Sequence, residues 1–202
     1  MFKIALTGGP CSGKSTVLAL LKTFPQGKEY RVGYLTEVAS ELLKERPHYI
    51  KDHDDIVLRQ FYIYRTQIAM ENCLCEELER ETQRKTVLIT DRGLSDALAY
   101  LEEGDIEKVT LGGEAEAFAD RYDAVLFFEP TDETQYQNKN NKARFEDSYE
   151  QILRTSEKTK QAWIRYYSGK MEFVGAAASV EEKAKSVARQ INRLAGGTVF
   201  EL

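Results

Sequence analysis

The sequence predicts an α/β domain, a parallel sheet with helices on both faces, and three observations carry that reading. Short runs of strand-forming residues alternate with amphipathic stretches along the chain. Two of those runs, Thr86 to Thr90 and Ala124 to Phe128, are apolar without alternation, as strands covered on both faces are. A glycine-rich turn, Gly8 to Ser15, separates the first strand from the first helix, where a sheet of this kind places its ligands.

The elements follow in order. Phe2 to Thr7 is a strand, ended by Gly8, Gly9 and Pro10, and Ser15 to Lys22 is the helix after it. Arg31 to Thr36 is a second strand, leading into a helix near Val38 to Lys44 that Pro47 closes. From Asp54 to about Arg84, apolar residues at Val57, Phe61, Tyr64, Ile68, Cys75 and Leu78 recur in steps of mostly three and four, which predicts one long amphipathic helix. The third and fourth strands are the two apolar runs, and Met171 to Val174 is a fifth. Ser179-Val-Glu-Glu182 is a capping box that starts the last helix. Thr131 to Phe145 is polar, rich in Asn and Lys, and reads as a mobile loop.

With 202 residues, 42% of them apolar and 30% charged, the chain is expected to fold as one domain, 1–202, without disulfides or metals to hold it. No apolar run exceeds the five residues of Val17 to Leu21, too few to cross a bilayer, and the N-terminus enters a strand-like segment at Phe2 instead of a charged-then-apolar signal sequence, so membrane insertion and secretion are not expected. Three cysteines, one inside the glycine-rich turn, suit reduced thiols and a cytoplasmic location. A net charge of −5 argues against nonspecific binding to nucleic acid or anionic lipid.

The chemistry concentrates at strand ends. Gly8, Gly9, Pro10, Cys11, Ser12, Gly13, Lys14 and Ser15 fit the pattern G-x-x-x-x-G-K-[ST], with Thr16 after it. Such a loop turns its amides toward a phosphate, and the helix that follows adds its partial positive charge. Lys14 is expected to reach the β and γ phosphates of a nucleotide and Ser15 to hold Mg²⁺. The plain alternative is a turn that only connects strand to helix.

Asp91 closes the third strand, where a carboxylate can hold a water on Mg²⁺ or take a proton from an attacking hydroxyl. It could equally cap the next helix. Arg92 can clamp a phosphate or an anionic substrate, or make a surface ion pair. Glu37 follows the second strand and could serve as general base, or be the first residue of a solvated helix face with Glu41 and Glu45. Between Asn138 and Phe145, Lys139, Lys142 and Arg144 stand without an acid. Such a loop can close over a triphosphate, with Arg144 its best candidate for stabilising charge, or serve only solubility. Cys73 and Cys75 point to different helix faces and make a metal site improbable, His48 and His53 read as surface residues, and Cys11 fills space or reacts as a thiol.

Thr7-Gly-Gly-Pro-Cys-Ser-Gly-Lys-Ser15, Thr36-Glu-Val-Ala39, Asp91-Arg-Gly-Leu-Ser-Asp96 and Asn141-Lys-Ala-Arg-Phe-Glu146 together resemble the kinase-like P-loop NTPases. The resemblance is nearest to the group shared by NadR-type nicotinamide riboside kinase domains and the TRPL-translocation-defect proteins, an AAA-28-like ATP-binding domain. It implies a three-layer P-loop NTPase with five parallel strands in the order 2-3-1-4-5 and a lid after the fourth, at about 131–150. It also implies adenine near Gly175 to Ser179, and an acceptor pocket between Glu37, the long helix and Asp91-Arg92, with Arg59, Gln60 and Gln67 able to read a base. Gly93 departs from the pattern, since thymidylate kinases usually carry a bulky residue after Asp-Arg and deoxynucleoside kinases usually carry Glu-Arg-Ser.

The leading expectation is an ATP- and Mg²⁺-dependent phosphotransferase acting on a small-molecule phosphate acceptor, a nucleoside, riboside or nucleotide. Glu37 or Asp91 would be the base, and Lys14, Arg92 and Arg144 the charge stabilisers. The alternative is an ATP-binding switch with slow hydrolysis and a protein or lipid partner. A regulatory GTPase is disfavoured, because Asn138-Lys-Asn-Asn141 lacks the Asp that reads guanine. A nucleic-acid ATPase is disfavoured for want of a basic stripe or aromatic platform. The long helix could pair with its copy in a homodimer.

Overall fold

A computed structural model describes residues 1–45, 52–80, 83–113, 120–133 and 148–202. Its strands are β1 (Phe2–Gly8), β2 (Tyr30–Leu35), β3 (Lys85–Asp91), β4 (Ala124–Phe128) and β5 (Lys170–Val174). The pairings between these strands are parallel and the order is β2-β3-β1-β4-β5. The helices are α1 (Lys14–Leu21), α2 (Val38–Glu45), α3 (His53–Glu79), α4 (Leu94–Leu98), α5 (Glu103–Thr110), α6 (Tyr149–Tyr166) and α7 (Val180–Ala195).

Alternation along the strands sorts the layers. Ile4 and Leu6 of β1 and Ala124, Leu126 and Phe128 of β4 join Val17, Leu18 and Leu21 of α1 and Ala184, Val187 and Ile191 of α7 in one buried cluster. Ala5 and Val125, one residue out of step, face the other way, onto Tyr64 of α3, Leu94 and Leu98 of α4, and Trp163 of α6. Truncating a residue at the centre of either layer, such as Leu6→Ala, removes about 2–5 kcal/mol. None of the described helices is long and apolar enough to cross a membrane.

The segment after α7 completes the first layer. Phe200 is 1% exposed. Its backbone is clamped on both sides by the Asn192 amide, and it pairs with Gln26 in an antiparallel bridge. The Ser179 hydroxyl caps α7 through Glu182 N at 3.1 Å, where the capping box is expected.

The long helix differs from its sequence reading in extent and in face. It runs from His53 to Glu79, short of Arg84, and its fully buried stripe is Val57, Gln60, Tyr64, Gln67, Glu71 and Leu78. Polar residues therefore share the inner face, while Phe61, Ile68 and Cys75 are only half-buried. The helices α4, α5 and α6 are absent from the sequence reading. The first two are short, and the buried stripe of α6 carries the hydroxyls of Ser156 and Thr159 between Ile152 and Trp163, which weakens its apolar period.

Candidate active site

The turn from β1 into α1 is fixed by sterics. Gly8 has φ +130°, and a Cβ there would lie 2.2 Å from the Phe128 carbonyl oxygen, so no other residue fits. Gly13, at φ 87°, opens α1, and Val17 N donates to its carbonyl at 2.9 Å. The Ser12 hydroxyl donates to Gly9 O at 2.9 Å, and Thr131 Oγ1 donates to Cys11 O at 3.0 Å. Pro10, Cys11 and Gly13 are half-buried, and Ser15 and Thr16 stand exposed at the helix start.

Lys14 does not extend away from this loop. Its ammonium donates to Gly8 O (3.0 Å), Gly9 O (2.8 Å) and Ser12 Oγ (3.1 Å) and is almost wholly buried. Burial first, and then the charge of Arg92, lower its pKa to about 8 against the pull of Asp91, Glu37 and Asp96.

Asp91 ends β3 opposite Leu6 of β1, which carries it to the carboxyl edge of the sheet beside the loop. The Ser15 hydroxyl donates to Asp91 Oδ2 at 2.7 Å. Asp91 Oδ1 is buried with no hydrogen-bond partner among the described residues, and burial raises the carboxyl pKa. A hydroxyl and an orphaned hard oxygen on one side of a phosphate loop form a donor set that fits Mg²⁺. Asp91 does not cap α4, because the Gly93 amide there donates to Asp96 Oδ2 at 3.0 Å.

The next turn is tied at every backbone group. Arg92 adopts the left-handed region at φ 75°, costly for a side-chain-bearing residue. Its N–H donates to Leu6 O (2.8 Å) and its carbonyl accepts from Gln67 Nε2 (3.2 Å), while Leu94 N donates to Tyr122 OH (3.0 Å). Gln67 and Tyr122 are in turn held by the fully buried Glu71, which also pairs with Lys3 at 3.2 Å.

This scaffold sets the Arg92 guanidinium between two carboxylates. Nε donates to Glu37 Oε1, and Nη1 donates to Asp96 Oδ1 at 3.0 Å. Burial would raise the Glu37 pKa, but the Arg92 charge, with hydrogen bonds from Ser40 and Arg92, overrides it and brings the value to about 2. Glu37 is thus an ionised partner of Arg92 and not a member of a solvated face.

Asp96 is a hub absent from the sequence reading. Besides Arg92 and the Gly93 amide, it accepts from Thr7 Oγ1 at 2.9 Å and from Trp163 Nε1 at 3.1 Å, tying β1, the Arg92 turn and α6 together. The signal was its place at the end of Asp91-Arg-Gly-Leu-Ser-Asp96, but spacing alone does not reveal four donors. Gly93 is explained by the same packing: a Cβ there would meet Trp163 Cζ2 at 2.7 Å and Tyr122 Cζ at 3.0 Å.

Of the polar residues on α3, Gln60 and Gln67 are buried and Arg59 is half-buried. Gln60 lies two turns beyond Gln67, about 10 Å toward the carboxyl edge of the sheet. Lys139, Lys142, Arg144 and His48 lie outside the described residues. Cys73 and Cys75 join no cluster of metal-ligating groups among the described residues. His53 is exposed and bonded to Asp105 at 2.6 Å.

A Gly-x-x-x-x-Gly-Lys-Ser loop behind five parallel strands in the order 2-3-1-4-5 defines a P-loop domain with the kinase fold. The chain belongs to the AAA-28 family, described as an AAA domain, whose model matches residues 3–183. Among solved structures, a deoxyadenosine kinase from M. mycoides with the products dCMP and a flexible dCDP bound matches with a TM-score of 0.62 at 14% identity, covering 96% of this chain and 100% of that one. That organism's deoxyadenosine kinase with bound dATP matches at 0.60 and 14% identity, covering 95% and 100%. At such identities the likeness speaks for the fold. No curated protein matches the chain.

Proposed function

We propose that this domain transfers a phosphoryl group from ATP to a hydroxyl of a small-molecule acceptor, a nucleoside or a related riboside. The observation that carries this reading is that the Ser15–Asp91 pair and the Glu37–Arg92–Asp96 set both lie close enough to the buried Lys14 to act on its charge. The first pair suits a metal-bound phosphate, and the second set suits a hydroxyl.

The roles follow from the atoms. The loop amides and Lys14 hold the phosphates, Lys14 exchanging loop carbonyls for phosphate oxygens. Ser15 and Asp91 would hold Mg²⁺, which would supply positive charge against the transferred group. Glu37, kept ionised, accepts the hydrogen bond of the acceptor hydroxyl and takes its proton as the bond to phosphorus forms. Arg92 is engaged by carboxylates on both sides, which favours a neutral hydroxyl over a phosphomonoester, since a phosphate needs cations that are not already paired. Gln60 faces the acceptor's base or ring, and Arg144 stabilises charge from the segment after β4. Positioning and electrostatics supply the rate.

The test is ADP release from ATP and Mg²⁺ across a panel of nucleosides, ribosides and nucleotides. Stimulation by one acceptor, a product heavier by one phosphate, and loss in Lys14→Ala and Asp91→Asn support the reading. Tight ATP binding without stimulation by any acceptor replaces it with an ATP-dependent switch.

A further inference from the structure

The first layer contains a second buried lysine that the roles above leave unused. Lys183, in the first turn of α7, is 8% exposed, and its ammonium donates to the Ser12 carbonyl at 3.1 Å. It also lies over the Phe128 ring, 5.3 Å from the centroid. Among the described residues it forms no ion pair, and Glu129 is the carboxylate whose field reaches it.

That placement is unfavourable twice over. A buried ammonium without a counter-ion loses its hydration with little return. A cation in the first turn of a sixteen-residue helix also opposes the partial positive charge there. Packing alone would be served by an apolar side chain of the same length, as the neighbouring Ala184, Val187 and Phe128 illustrate.

The acceptor it has chosen gives the reason. Ser12 O belongs to the Ser12–Gly13 peptide, inside the phosphate loop. In a trans peptide the carbonyl and the N–H point to opposite sides. Holding the carbonyl toward α7 turns the Gly13 N–H toward the opposite, inner side of the loop. A hydrogen bond from a charged donor also polarises the peptide and strengthens that N–H as a donor. We infer that Lys183 is a positioning residue of the phosphate loop, which aims the Gly13 N–H at a bound polyphosphate and whose buried charge that polyphosphate balances. The inference rests on the P-loop reading of the site and adds a residue from the far end of the chain to it.

The test compares the parent chain with Lys183→Met, Lys183→Gln and Lys183→Arg by calorimetric titration with MgATP and with magnesium tripolyphosphate, and by thermal unfolding without ligand. The Met variant is expected to weaken ATP and tripolyphosphate alike by about tenfold or more, and the Arg variant to stay within about threefold of the parent. The ligand-free unfolding midpoint of the Met variant is expected to equal or exceed the parent's, since an uncompensated charge is gone. A Met variant, or a Gln variant if Met does not fold, that binds ATP within about threefold of the parent overturns the inference. So does weakened ATP with unchanged tripolyphosphate, which would place the residue's effect on the base. If the parent binds no ATP at all, the P-loop reading itself fails, a result distinct from any difference between variants.

Discussion

Ser15 and Asp91 are joined side chain to side chain, the hydroxyl donating to Oδ2 at 2.7 Å, while Oδ1 of the same carboxylate is buried without a partner among the described residues. The pair connects the first turn of α1 to the end of β3 and leaves one hard oxygen without a partner.

Asp91→Asn keeps the shape and the contact to Ser15 but removes the charge. Turnover with MgATP is expected to fall by about 10²-fold or more, because stabilisation of charge in the transition state is lost. Binding of ATP in the presence of EDTA should change little. Titrating Mg²⁺ in both proteins checks this, and an unchanged metal requirement in the variant would remove Asp91 from the metal site.

Lys14 gives a pH signature. Its folded pKa, lowered to about 8 by burial and then by Arg92, lies below the ordinary 10.5 of the unfolded chain. Between those values the unfolded chain holds a proton that the folded protein has released. This residue's contribution to ligand-free stability therefore rises with pH from about 8 to 10.5. In the proposed function ATP binding uses the ammonium, so the nucleotide's stabilising effect is expected to shrink as pH climbs through the same range. Thermal unfolding with and without ATP across the range checks both, with Lys14→Met as the control that flattens the Lys14 contribution.

Glu37 titrates with the opposite sign. Its carboxylate is held at about 2, below the ordinary 4.5, so the Glu37–Arg92 pair stabilises the protein fully above about 4.5 and loses its contribution as pH falls toward 2. Glu37→Gln should lower acceptor-stimulated turnover by about 10²- to 10⁴-fold while leaving ATP affinity within a few-fold. Equal loss of ATP affinity would make Glu37 a structural partner of Arg92 instead of a base.

Gly93→Ser restores the residue that deoxynucleoside kinases usually carry after their Glu-Arg pair. Here the new Cβ meets the Trp163 ring at 2.7 Å, and Trp163 is fully buried. The cost is expected to be about 1–3 kcal/mol in urea unfolding followed by circular dichroism. A double substitution, Gly93→Ser with Trp163→Phe, should recover part of the steric cost. A fully stable single variant would mean that the ring has room to move.

The sheet was legible because its strands report burial directly: continuous apolar runs at Thr86–Thr90 and Ala124–Phe128 leave few alternatives. The phosphate loop was legible because its glycines obey hard sterics, as the 2.2 Å approach at Gly8 shows. The polar inner face of α3 was legible only in part: the family resemblance named Gln60 and Gln67, but a count of apolar residues gives Glu71 no weight, although it falls in the same stripe as Tyr64 and Leu78. The burial of Gln67 and Glu71 is satisfied by Arg92 O, Tyr122 and Lys3, partners far away in sequence. Asp96 and Lys183 escaped for the same reason: each is defined by contacts that only the folded chain brings together.

Trp163 is the chain's sole tryptophan, and its indole N–H is bonded to Asp96, which also holds Arg92. Its indole emission therefore comes from one fully buried position, one hydrogen bond away from the partner of Arg92. Any acceptor that draws Arg92 toward itself changes the electric field on that indole and shifts its spectrum. If the domain transfers phosphate as proposed, occupancy of its acceptor side is expected to be readable without a dye, so that acceptors can be screened by light alone.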